Sequence, residues 1–329
     1  MLGLFRSSIL LAGMLSVAAC GKAPLSLSAS DPSSPLRLER KIILAEVRGR
    51  IDHLAIDEGG GRLFVAEVEN GSVDEIDLRA GKVIGRISGL REPQGVAYLP
   101  AQKELVVACG DGSVRFFSTD RRLIARIDLG DDADDVRIDP RNGHILVGYG
   151  KGAIATIDPA HHRLIGRLPL GGHPEGFQQV GTRLFANVPD RGAIIAADLD
   201  RGVVQATWRT GLHRLNFPMA VAPDGKHILL AYRLPAALAS IKIADGTSDF
   251  VVPSCGDSDD LYVDGQRIFV ICGAGHVNVQ RWASGDTEVS VETAPGARTG
   301  LISIRRHELY VAAPARGDPA AIWVLAIAP

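Results

Sequence analysis

The side chains best suited to chemistry in this chain are two histidines and a group of carboxylates that recur in phase. Arg50, Asp52 and His53 come first, then Glu92 and Gln94, then Asp131, Asp132, Asp134 and Asp135. His173 and Glu175, Asn216, the trio Asp257, Asp259 and Asp260, and Arg298 with Thr299 complete the series. Imidazole nitrogen combined with carboxylate oxygen is a donor set suited to Zn, Mn or Ca. His53, His173, Glu175 and Asp260, with Asp135, are therefore candidate ligands for a divalent metal. They come from separate stretches of chain, without a compact motif such as His-Glu-x-x-His, so spacing does not say whether they meet. Asn187 and Arg233 add an amide and a guanidinium that suit an anionic or sugar-like ligand. The candidate ligand site is thus His53, Gln94, Asp135, His173, Glu175, Asn187, Asn216, Arg233, Asp260 and Arg298, with no catalytic residue assigned. For any one carboxylate the plainer reading is structural, because Asp caps its own backbone at turns. The set as a whole argues for a site.

What must position these residues is a repeat. The phrase Asp52-His-Leu-Ala-Ile-Asp57 returns as Gln94-Gly-Val-Ala-Tyr-Leu99, Asp134-Asp-Val-Arg-Ile-Asp139 and Glu175-Gly-Phe-Gln-Gln-Val180. It returns again as Pro218-Met-Ala-Val-Ala-Pro223, Asp259-Asp-Leu-Tyr-Val-Asp264 and Thr299-Gly-Leu-Ile-Ser-Ile304. A period of roughly 40 residues marks a unit of four short strands, the blade of a β-propeller. In the first repeat, Leu54 and Ile56 alternate with polar or small neighbours, and 58–61 turns the chain. Leu63-Phe-Val-Ala-Glu-Val68 follows as a β-rich run, and Asn70-Gly71 is a strong hairpin signal. Later second strands, such as Leu105-Val-Val-Ala108 and Ile268-Phe-Val-Ile271, are apolar on both faces, as strands between neighbouring blades must be. The seventh repeat stops near Ile327 without a fourth strand. A strand-like segment at 41–47, within 36–47, is expected to supply it and close the ring, which removes the exposed strand edges. The fold class is all-β: a seven-bladed propeller of four-stranded blades, its last blade closed by the N-terminal strand.

These phrases resemble the YVTN-repeat β-propellers, a family related in fold to the quinoprotein amine dehydrogenase-like propellers. The matching residues are Leu63-Phe-Val-Ala66, Leu309-Tyr-Val-Ala312, Asp77-Leu-x-x-Gly-Lys-Val83 and Asp139-Pro-x-x-Gly143. Several blades depart from the signature, with Phe-Ala-Asn or Leu-Val-Gly in its place. The resemblance spans 36–329 and implies the fold together with a binding role, since the family carries no single activity.

The amino terminus reads as export. Arg6 precedes an apolar stretch at 9–17, too short for a membrane span, which needs roughly 20 apolar residues. Val17-Ala-Ala-Cys20 resembles the lipobox of bacterial lipoproteins, so 1–19 is expected to be a signal peptide and Cys20 the lipidated residue. Residues 20–35, rich in Ser, Ala and Pro, read as a flexible tether. Gly21 resembles the sorting position of outer-membrane lipoproteins. This places the chain on the bacterial envelope, facing the periplasm, where Cys109, Cys255 and Cys272 meet an oxidising environment. Cys255 and Cys272 fall in one repeat near the same face, so a disulfide between them is one expectation and a pair of buried thiols the other.

Charge and absent motifs narrow the function. Thirty-six basic residues against 38 acidic ones, with no basic run, disfavour nucleic acid. There is no Cys-x-x-Cys-His, no Gly-x-Ser-x-Gly and no phosphate loop before a helix; Gly148-Tyr-Gly-Lys-Gly152 lies between strands. The expectation is a monomeric, lipid-anchored module that binds a small molecule or a periplasmic protein through its polar face. The alternative is a metal-assisted, lactonase-like hydrolase of small substrates in the same funnel. No cofactor is expected beyond that divalent metal.

Overall fold

The computed structural model describes residues 25–329, in which 29 strands, numbered here in chain order, account for nearly all regular structure. The exception is one 3-10 turn at Pro189–Arg191. Blade one shows the plan: β3 (Ile51–Asp57), β4 (Arg62–Glu67), β5 (Ser72–Asp77) and β6 (Lys82–Ser88) pair in that order, antiparallel throughout. Its third and fourth strands follow the Asn70-Gly71 and Ala80-Gly81 turns, where Gly71 and Gly81 take left-handed φ values. Six more sheets repeat this order, so the protein is an all-β propeller of seven four-stranded blades. The innermost strands are β3, β7 (Pro93–Leu99), β11 (Ala133–Ile138), β15 (Phe177–Val180), β19 (Arg214–Val221), β23 (Ser258–Asp264) and β27 (Gly300–Ser303).

The core is divided rather than central. Seven apolar clusters fill the seven gaps between neighbouring blades. Second strands such as β4 are buried along almost their whole length because a blade lies on either side. The last blade is closed by β2 (Leu36–Ile43), which pairs antiparallel with the final strand β29 (Ala321–Ile327). The closing strand thus begins at Leu36, five residues ahead of the strand-like segment the sequence suggested. Leu36 and Ile42 anchor it because both are buried, in the clusters on opposite sides of that blade.

Residues 25–35, expected to belong to a flexible tether, are ordered against the ring. Strand β1 (Leu25–Ser28) pairs parallel with β26 (Thr287–Glu292) as a fifth strand on blade six. Leu25 and Leu27 alternate with serines, a period-two pattern, and the outer edge of β26 offers unpaired backbone groups to take it. Leu27 packs on the cluster between blades six and seven, and Ala29 accepts a bond from the Leu38 amide at 2.8 Å. The expected signal peptide 1–19 and the lipidation residue Cys20 lie outside the described residues.

Candidate functional site

The seven repeated phrases open the seven inner strands, and their first residues meet around the propeller axis. In five blades the pairing of inner and second strand slips at this point: between Ile51 and Leu54, Pro93 and Val96, Ala133 and Val136, Asn216 and Met219, and Ser258 and Asp260. Such bulges re-aim side chains that strict alternation would send to opposite faces. Consecutive residues, Asp52 with His53, Asp134 with Asp135 and Asp259 with Asp260, therefore all line one cavity of about 420 Å³. Glycine at the second phrase position brings inner strands together. A Cβ on Gly95 would stand 1.9 Å from the Asp134 carbonyl oxygen, and one on Gly176 would stand 2.5 Å from that of Phe217.

His53 lies across the axis. Its Nδ1 is 3.7 Å from Asp260 Oδ1 on blade six, and its Nε2 is 4.0 Å from Asp134 Oδ1 on blade three. Burial works against a charged imidazole here, but Asp260, Asp52 and Asp135 outweigh it and hold His53 well above its ordinary value. A chain of polar contacts crosses three blades on one side. Arg50 Nη2 donates to Asp52 at 2.8 Å and to Gln94 at 3.0 Å, and Gln94 Nε2 donates to Asp132 at 2.9 Å. His173 sits behind it, with Nδ1 2.6 Å from the Gly150 carbonyl oxygen.

The four arginines of the cavity are already matched. Arg137 bonds Asp135. Arg233 bonds Asp259 and the Ser258 carbonyl, lies 3.5 Å from Asp257, and stacks over Phe217 at 3.9 Å from the ring centre. Arg298 reaches Asp257 at 3.0 Å and Asp259 at 2.9 Å. The carboxylates are in excess. Asp134 Oδ1 is buried without a hydrogen-bond partner. Burial, then the charges of Asp52, Glu175 and Asp135, drive the Asp134 carboxyl well above the usual range, against the pull of His53. Glu175 is pushed up to about 7 by burial and by Asp259 and Asp52, with His173 and Arg233 opposing. Asp259 rises only to about 6, because Arg233 and Arg298 offset its burial.

Eight of the ten residues expected to bind a ligand line this cavity: His53, Gln94, Asp135, His173, Glu175, Arg233, Asp260 and Arg298. Asn187 and Asn216 do not. Both are fully buried, and their amides lace blade four to blade five: Asn216 Nδ2 donates to Asn187 Oδ1 at 2.8 Å, and Asn187 Nδ2 to the Phe217 and Pro218 carbonyls at 3.1 Å. With Asn187 buried and Arg233 committed to carboxylates, the suggested anion or sugar pair is not assembled. Nor do the metal candidates His53, His173, Glu175 and Asp260 form a ready donor set. Among the described residues, the group of three whose ligand atoms all lie within 4.8 Å of one another is elsewhere, at Cys255, Cys272 and His276. Arg137, Gln178 and Tyr262 line the cavity but were not anticipated. All three hold the fourth phrase position, so continuing the phrase two residues inward finds them. Tyr262 donates its hydroxyl to the Gly300 carbonyl at 2.8 Å.

No protein-family model matches the chain, and no curated protein does either. The YVTN-repeat likeness therefore goes no further than the phrases that carry it. Many solved structures share the fold. One is the Kuenenia stuttgartiensis hydrazine synthase, at 18% identity and a TM-score of 0.73, with 84% of this chain and 97% of that chain covered. At such identity the likeness is one of fold.

Proposed function

We propose that the protein is a binding module of the bacterial envelope, tethered by lipid at Cys20 and probing the periplasm from the outer membrane, that takes a small polar ligand bearing positive charge into its axial funnel. The observation that carries the ligand reading is the imbalance within the cavity. Every arginine lining it is paired, while Asp134 keeps a buried oxygen with no partner and Glu175 is held near neutrality. Buried carboxyl groups in excess of the opposing charges are expensive, and a cationic ligand would redress the balance. Val17-Ala-Ala-Cys20 supports the anchored location.

A thermal-shift panel of small amines, carboxylates and neutral sugars tests the ligand class. A cation at a hundredfold excess over Kd should stabilise the protein by about 2.7 kcal/mol, and Asp134→Asn should abolish that shift. Stabilisation by carboxylates or sugars, with none by amines, would refute the reading. Cys20→Ser should release the protein from the membrane fraction; unchanged fractionation would remove the anchor.

A further inference from the structure

Outside the funnel, blade six carries a second group of chemically competent side chains. Cys255 precedes β23, Cys272 ends β24 (Arg267–Cys272), and His276 begins β25 (His276–Arg281). Cys272 and His276 are paired across the β24–β25 hairpin, which sets their side chains on the same face. Cys255 comes to them from the neighbouring loop, with its Cα 5.8 Å from that of Cys272. In this structure the two sulfurs are bonded as a disulfide, one of the two states open to them from sequence. A disulfide needs no imidazole. Yet the ligand atoms of all three residues lie within 4.8 Å of one another, with both cysteines buried and His276 half-buried.

We propose that the reduced form of this cluster is a metal site of the Cys2His type, taking a thiophilic d10 cation, Zn(II) or Cu(I), with a fourth position open to solvent or to an exchanging ligand. The chemistry of the donors favours these ions, since thiolates select soft or borderline metals and imidazole suits both. Tetrahedral sites require sulfurs farther apart than a disulfide holds them, so oxidation and metal binding exclude each other. The balance is simple. A dithiol reductant gives two electrons and two protons to the Cys255–Cys272 bond and becomes a disulfide. The two thiols then release their protons as the cation binds. The remaining described cysteine, Cys109, is buried far around the ring, its thiol pushed up to about 11 by burial, and is a poor ligand.

The test uses the full chain, reduced with a dithiol and desalted without oxygen, beside the untreated oxidised protein. Each is titrated with Zn(II) against a chromophoric chelator, and with Co(II) to look for thiolate-to-metal charge-transfer absorption; a Cu(I) titration against a competing chelator ranks the two cations. The reduced protein should bind one equivalent more than the oxidised protein and show the thiolate band. His276→Gln, a change at a half-buried position, should weaken the metal at least tenfold while leaving the melting temperature of the oxidised form unchanged. Equal binding by reduced and oxidised protein would overturn the proposal. So would a His276→Gln variant that binds as tightly as the parent, or unfolding on reduction that metal does not reverse.

Discussion

Blade one and the funnel both bury carboxyl groups, and they differ in what faces them. In blade one, Glu67 and Asp74 are fully buried side by side. Arg86 grips Asp74 with two bonds of 2.6 and 2.8 Å, and the Ser72 hydroxyl donates to Glu67 at 2.5 Å. Burial, with Asp74 as the main charge against it, pushes Glu67 up to about 8, so it stays protonated at neutral pH. This cluster is shut off from solvent. In the funnel the same residue types, also pushed upward, surround about 420 Å³ of open space at the meeting point of seven blades. A raised carboxyl therefore does not by itself mark a site. What separates the two regions is that the blade-one pair is packed around Arg86 within its sheet, whereas Asp134 and Glu175 line an open cavity in which carboxylates outnumber the opposing charges of His53, His173 and Arg233.

Arg86→Ala breaks the closed cluster and should have the largest effect on stability. It leaves Asp74 buried and unpaired, at about 3–5 kcal/mol, read by denaturant unfolding, while ligand stabilisation persists in what remains folded. Asn216→Ala should cost about 1–3 kcal/mol, because Asn187 Oδ1 loses its buried donor; cation binding should again survive. Loss of binding without loss of stability in that variant would move the asparagines into the site. Asp134→Asn should do the reverse, removing cation binding with little change in stability at neutral pH. Binding itself should strengthen as pH rises toward and through about 7, because Glu175 must give up its proton to act as a counter-ion. Calorimetry in buffers of different ionisation heat should detect proton release on binding, and none would contradict the role of Glu175.

The ring was legible in the sequence because a repeated unit reports its own boundaries. The heads of the inner strands were legible for the same reason, which is why His53, Glu175 and Asp260 fall where expected. What escaped depended on contacts the repeat does not encode. Asn187 and Asn216 look like rim residues in the chain, yet each finds backbone carbonyls and the other's amide between blades. Arg137 and Tyr262 look like the outward positions of alternating strands until bulges tilt those strands toward the axis. Leu25–Ser28 looks like linker because only four residues alternate, and the edge of β26 that receives them is some 260 residues away in the chain. The asymmetry between Glu67 and Glu175 is invisible in sequence, since it rests on which carboxyl is packed within a blade beside Asp74 and which lines a cavity.

The sharpest measurement is the melting temperature of the ligand-free protein between about pH 5 and about pH 8, for the parent and for an Asp134→Asn, Glu175→Gln double variant. A carboxyl raised in the folded state binds its proton more tightly there than in the unfolded chain, so its contribution is present at low pH and lost as pH rises through the raised value. For Glu175 that window runs from the usual carboxylate range up to about 7; His53, also raised, loses its contribution in the same direction, above the ordinary imidazole value. The parent should therefore lose stability across this range, and the double variant should fall less steeply and melt higher than the parent at pH 8. A variant that tracks the parent's slope, or melts lower at pH 8, would show that Asp134 and Glu175 carry no uncompensated charge and would contradict the reading of the funnel as a cation site.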